Sequence, residues 1–212
     1  MLLGEAVAAR LRGGSGVGGG LVPAPPAVLL GIPRGGVVGA AAVADALGVP
    51  LDVLVAHKIG APGNPEFALG AVTADVTTIV EPWARRSTGL SDDAIAALAG
   101  PEIDRARERE LRLRGDLPRT DLHGRTAILV DDGIATGATV HAAVLAARAL
   151  GAARTIVAAP VASDEAVRLL TPVVDALVLL AIPAPFWSVG QWYERFDQVE
   201  DAEVRRLLTA TR

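Results

Sequence analysis

Ile128-Leu129-Val130-Asp131-Asp132-Gly133-Ile134-Ala135-Thr136-Gly137-Ala138-Thr139 is the stretch that decides how this chain is read. An apolar run delivers two adjacent carboxylates, and a loop with Gly133 and Gly137 then opens a helical pattern over 138–150. Free backbone N–H groups at a helix N-terminus bind phosphate, and the helix dipole favours an anion there. Thr136 and Thr139 add hydroxyl donors, while the small Gly137 and Ala138 allow close approach to the backbone. Two carboxylates repel phosphate, but they accept hydrogen bonds from vicinal hydroxyls and can hold hydrated Mg²⁺. A phosphate cradle a few residues from a diol acceptor suits a 5-phosphorylated ribose. An ordinary capped helix leaves the acids unexplained, because two ionised side chains at a strand end are costly to leave unpaired.

Outward from this stretch, apolar runs alternate with helical patterns. Residues 27–32, 51–57, 127–131, 154–159 and 175–181 read as strands, and 68–72 with 77–80 as a short strand pair. Residues 35–47, 138–150, 163–170 and 202–208 read as helices. A further helical region starts at a Ser91 cap, breaks or kinks at Gly100-Pro101 and runs to Arg114, with its charged later half as a solvated face. This alternation predicts an α/β fold, one domain over 1–212, with a mainly parallel sheet flanked by helices. Ligands of such sheets sit beyond the carboxyl ends of the strands, here after Ile32, Val55 and Val130. Residues 59–67 hold Gly60, Pro62, Gly63 and Pro65 and read as a loop, the candidate for a mobile cover over the site. Near the start, 4–12 reads as a short helix and 13–26 as a Gly/Pro-rich loop. That loop matches G-x-G-x-x-G at 14–19, but a helix precedes it where a dinucleotide site needs a strand.

Composition excludes several classes. The 212 residues are 51% hydrophobic, which rules out a disordered chain. A net charge of −4, without a Lys/Arg-rich run, argues against a nucleic-acid partner. The absence of cysteine excludes disulfides and thiolate metal sites. No apolar run reaches the ~18 residues of a membrane helix, and the N-terminus lacks a basic signal-peptide region, so we expect a cytoplasmic protein with no membrane partner. No G-x-x-x-x-G-K-[ST] loop is present, which excludes a P-loop phosphotransferase. Asp131 is followed by Asp132 and Gly133, the wrong spacing for an aspartate-based phosphatase.

Two further features carry chemistry. Gly31-Ile32-Pro33-Arg34-Gly35-Gly36-Val37 also leads from a strand into a helix. Arg34 offers a fork to phosphate oxygens, and Gly35 and Gly36 expose backbone N–H groups. Lys58, the only lysine, follows His57 at a strand end, as a compact ammonium in a chain that otherwise uses arginine.

The 128–139 stretch resembles the PRPP-binding motif of type I phosphoribosyltransferases: a hydrophobic run, two acids and a Thr-Gly-x-Thr loop. The resemblance implies transfer of ribose 5-phosphate from PRPP to a nitrogenous base, with Mg²⁺ and release of pyrophosphate. It implies that Asp131 and Asp132 hold the ribose hydroxyls and Mg²⁺, the metal directly or through water. Ala135, Thr136, Gly137, Ala138 and Thr139 would then hold the donor's 5-phosphate, with Gly133 also among the PRPP-binding residues. The 31–37 segment looks like the family's pyrophosphate loop, so Arg34, Gly35 and Gly36 are expected at pyrophosphate, with a non-proline cis peptide near Arg34. A basic residue at the Lys58 position commonly joins them, which makes Arg34, Lys58, Asp131 and Asp132 the expected catalytic set; His57 is read as structural. Five of the seven aromatics lie in 186–196. The family places a hood over the base at such a position, here 182–200, with Phe186, Trp187 and Tyr193 as candidate base contacts.

The resemblance spans about 31–193 and is similar to an uncharacterised bacterial group assigned to this family. It also implies a homodimer. Hypoxanthine-guanine enzymes carry an acid where this chain has Ala135, which argues against a 6-oxopurine handled in that way. Glu66 is a further candidate, and no general base is identified. The competing reading is a PRPP- or nucleotide-binding regulator with the same fold and no turnover.

Overall fold

Apolar runs buried on both faces make the middle of a parallel sheet, and three runs of this chain meet that condition. The computed structural model describes residues 26–75 and 77–210. In chain order the elements are β1 (Ala27–Gly31), α1 (Gly35–Leu47), β2 (Leu51–Val53), β3 (Ala56–Ala61), β4 (Asn64–Thr73), β5 (Thr78–Val80), α2 (Pro82–Thr88), α3 (Asp92–Arg114), β6 (Thr126–Val130), α4 (Ala138–Ala149), β7 (Arg154–Val161), α5 (Asp164–Leu170), β8 (Ala176–Ala181) and α6 (Asp201–Ala210). Five strands pair in parallel in the order β2-β1-β6-β7-β8. Successive residues of a strand face opposite ways. Leu29, Ile128, Val130 and Ile156 therefore pack with Val37, Ala44, Leu113 and Leu208, so α1, α3 and α6 cover one face. Leu30, Leu129 and Val157 pack with Val140, Val144 and Leu170, so α4 and α5 cover the other. The α/β architecture with a mainly parallel sheet flanked by helices is as expected.

The segment between β2 and α3 departs from the expectation. The strand read over 51–57 ends at Val53, and a new one starts at Ala56. Residues 59–67 are not a loop. They belong to the β3–β4 hairpin of a separate antiparallel sheet, β3-β4-β5, with Ala61 opposite Asn64. Pro62 presets the first turn position and Gly63, at φ +76°, takes the second, so the glycine and proline density marks a two-residue turn. Gly60 sits where the ladder shifts register. The pair read at 68–72 and 77–80 is present as β4 against β5. Ile59, Leu69 and Val72 form a small core with Ala84 of α2 and Ala99 of α3; α2 was not foreseen.

Helix α3 runs unbroken through Pro101, so of the break or kink expected there the break is absent. Ser91 caps it, its Oγ accepting the Ala94 N–H at 3.2 Å. Proline removes one helical hydrogen bond, but Ala99 before it and Ala106 and Leu113 after it are anchored in two cores. The charged half is not merely a solvated face, because Glu110 and Arg114 are buried. Arg114 Nη1 lies 2.6 Å from Asp52 Oδ1, its Nε donates to Glu110 at 3.0 Å and its Nη2 to the Val53 carbonyl at 2.9 Å. This network ties the end of α3 to edge strand β2. The helix read at 4–12 and the glycine-rich residues 13–25, with their G-x-G-x-x-G match, lie outside the described residues.

Candidate functional site

Strands β1 and β6 are neighbours, with Gly31 opposite Val130. The two motifs therefore leave the sheet side by side at its carboxyl edge. Their loops touch closely enough to exclude side chains. A Cβ on Gly35 would overlap the Asp132 carboxylate, and one on Gly36 the Val130 carbonyl oxygen. Glycine is used there for close approach. The Pro33–Arg34 peptide is cis, as the resemblance implied.

The acids sit where their charge is expensive. Burial, and then the neighbouring Asp132 charge, raise Asp131 far above the ordinary carboxylate range, to about 8. Burial raises Asp132 as well. Asp131 Oδ1 accepts the Asp132 N–H at 2.9 Å. Such a pair keeps a proton unless hydroxyl donors or a cation neutralise it. Among the described residues no group of three His, Cys, Asp or Glu could hold a metal. Two carboxylates fit Mg²⁺ only with water or ligand oxygens completing its shell.

The following loop is held from β7. The Ile134 N–H donates to the Val161 carbonyl at 2.9 Å, and the Ser163 N–H to the Ile134 carbonyl at 2.9 Å. The Ser163 hydroxyl reaches the Ala135 carbonyl. Gly137 is the N-cap of α4, and Thr136 Oγ1 accepts the Ala138 N–H at 3.4 Å. Ala135, Thr136 and Thr139 are exposed there, beside the half-buried Ala138.

Lys58 lies on β3, outside the parallel sheet, but faces the same region. It lines an open cavity of about 460 Å³ with His57, Leu98, Glu102, Arg109 and Thr139 among others. His57 Nδ1 lies 3.1 Å from Glu102 Oε2, which ties the hairpin to α3. Arg34 does not line this cavity; its Nη1 lies 3.6 Å from Asp201 Oδ1 at the start of α6. Arg109 escaped the sequence reading because it stands in the charged run of α3. The spacing of Ala106, Glu110 and Leu113, all buried, would have revealed an inward face. The Glu66 side chain lies outside what is described.

The aromatic segment meets the site at one residue. Tyr193 donates its hydroxyl to the Asp132 carbonyl at 2.5 Å, and burial with the two acids raises its pKa to about 12. Gly133 leaves room for Val189, since a Cβ there would overlap it. Tyr193 and Phe196 pack with ring centroids 5.1 Å apart and, with Gly35, Val38 and Asp132, line a cavity of about 260 Å³. Phe186 is half-buried and lines neither cavity, and Trp187 is 81% exposed. We expect Tyr193→Phe to lower stability by about 1 kcal/mol, the net worth of one hydrogen bond. An unchanged urea midpoint would show that the hydroxyl contributes nothing.

The phosphoribosyl transferase domain family matches the chain over residues 22–180. Two curated Mycobacterium tuberculosis proteins, from strains CDC 1551 and H37Rv, are each named "Putative phosphoribosyl transferase" and are 44% identical over 181 residues. The match covers 85% of this chain, which spans only 41% of their length. The crystal structure of TT1426 from Thermus thermophilus is 40% identical, with a TM-score of 0.87, covering 98% of this chain and 95% of that one. With a family match over more than half of its length and both motifs at one sheet edge, the chain belongs to the phosphoribosyl transferase domain family.

Proposed function

We propose that this chain transfers ribose 5-phosphate from PRPP to a nitrogenous base with release of pyrophosphate. The observation that carries the reading is the side-by-side exit of the acid–phosphate loop and the Arg34 loop from β1 and β6. The exposed backbone and hydroxyls of 135–139 hold the 5-phosphate at the start of α4. Asp131 and Asp132 accept the ribose hydroxyls, whose O–H donors relieve the repulsion that raises both acids. Arg34, Gly35, Gly36 and Lys58 serve the leaving pyrophosphate. The C1–O bond breaks early, so the protein acts by positioning the sugar and stabilising the leaving anion. Asp131 and Asp132 would hold Mg²⁺ with water completing its shell, and the metal would supply further neutralisation of pyrophosphate. The base lies toward the Tyr193–Phe196 cavity, whose aromatic edge suits a planar ring. A cytoplasmic homodimer belongs to the same reading, supported by the resemblance alone.

The test is pyrophosphate release from PRPP and Mg²⁺ over a panel of purine and pyrimidine bases. Release dependent on one base is the expected result. Tight PRPP binding without release from any base would favour the regulatory reading. No PRPP binding by folded protein would overturn both.

A further inference from the structure

The arginine that sequence selects for pyrophosphate is not the one that lines the cavity beside Lys58. Arg34 turns toward α6, where Asp201 lies 3.6 Å from it and 3.7 Å from Arg112 Nε. Arg109, from the middle of α3, lines the cavity together with Lys58 and Thr139. Its Nη2 donates to the Pro33 carbonyl at 2.9 Å, the carbonyl of the cis peptide that leads into Arg34. A guanidinium carries five N–H donors, so one bond to a neutral carbonyl leaves most of its fork for another acceptor. That bond also fixes the direction in which the fork points.

Arg34 and Arg112 share the Asp201 carboxylate, Arg112 also lies 2.9 Å from Glu108, and Lys58 shares the cavity with Arg109. Burial, and then the nearby Arg34, lower the pKa of Arg109, with Asp201 acting the other way. Glu102 lies on the cavity wall but is engaged by His57 and Arg105. An acceptor with several charged oxygens, placed in the cavity beside Arg109, would take bidentate bonds from the fork.

We propose that Arg109 binds the pyrophosphate group of the donor, aimed by its bond to the Pro33 carbonyl and working with Lys58 across the cavity. The inference rests on the donor reading above and adds to it a residue from α3. A neutral side chain at 109 then weakens ligands that carry pyrophosphate and spares those that carry only the 5-phosphate.

The experiment is calorimetric titration of wild type, Arg109→Met and Arg109→Lys with inorganic pyrophosphate, PRPP and ribose 5-phosphate, all with Mg²⁺. For Arg109→Met we expect affinity for pyrophosphate and PRPP to fall about 10- to 100-fold, as for a lost charged hydrogen bond, with ribose 5-phosphate unchanged. Arg109→Lys should recover part of the loss. Should Arg109→Met fail to fold, Arg109→Lys decides alone. Its expected loss is about tenfold for pyrophosphate, since one ammonium cannot both hold Pro33 and form a fork. Unchanged pyrophosphate affinity, a parallel loss for ribose 5-phosphate, or a wild type that ignores pyrophosphate would each overturn the inference. Arg109-dependent pyrophosphate binding in a protein that binds no ribose 5-phosphate and turns over no base would uphold it while overturning the transferase reading.

Discussion

An Asp131→Asn, Asp132→Asn double variant should bind PRPP at least about 100-fold more weakly than wild type, yet be no less stable at neutral pH. Each carboxylate that accepts a charged hydrogen bond from the diol is worth about 1.5–3 kcal/mol, and two such losses reach that factor. Stability should move the other way, because burial and mutual repulsion oppose the charges of the two acids. The sign follows from linkage. The folded pKa of Asp131 is raised to about 8, above the ordinary 3.8. Between those values the folded state holds more protons than the unfolded state, so the contribution of this pair to stability falls as pH rises. The wild type should lose stability from about pH 4 to about pH 8 relative to the variant, whose amides do not titrate. Paired urea melts across that range and PRPP calorimetry check both halves. A variant that binds PRPP like wild type would remove the acids from the donor site.

Arg114→Met should cost about 3–5 kcal/mol, or roughly 6–20 °C in Tm, without touching the donor site. Asp52 and Glu110, 2% and 9% exposed, would be left as buried carboxylates without their shared cation. Asp52 keeps the Val53 and Thr120 N–H groups, both at 2.7 Å, and Glu110 keeps Arg119. Neither replaces the guanidinium between them. Arg119→Ala is the contrast: its side chain is 45% exposed, and its loss should cost no more than about 1 kcal/mol. An Asp52→Leu, Glu110→Leu, Arg114→Met triple variant should regain most of the loss, since an apolar trio of similar size often matches a buried ion network. Chemical denaturation of the three variants tests the ordering. A mild Arg114→Met phenotype would mean that the end of α3 is held by Leu113 and Ala106 alone.

Local signals proved sufficient where one stretch of chain contained its own physical requirement. The buried strands, the helix starts at Gly35 and Ala138, the Ser91 cap and the loop that follows the two acids all follow from burial pattern and capping chemistry over a few residues. The sequence by itself thus determined the parallel α/β core and the two motifs at its carboxyl edge.

Tertiary structure decided what depends on residues far apart. Pro62-Gly63 is a tight turn because β4 is there to pair with β3, and α3 continues through Pro101 because it is packed in two cores. The charged run of α3 turns inward because Asp52 stands opposite Arg114, 62 positions away in the chain. Arg34 is turned toward α6 by Asp201, while Arg109 is held at the Lys58 cavity by the Pro33 carbonyl. A guanidinium on a long, flexible stem is aimed by whichever partner the fold brings near, and no local pattern encodes that partner.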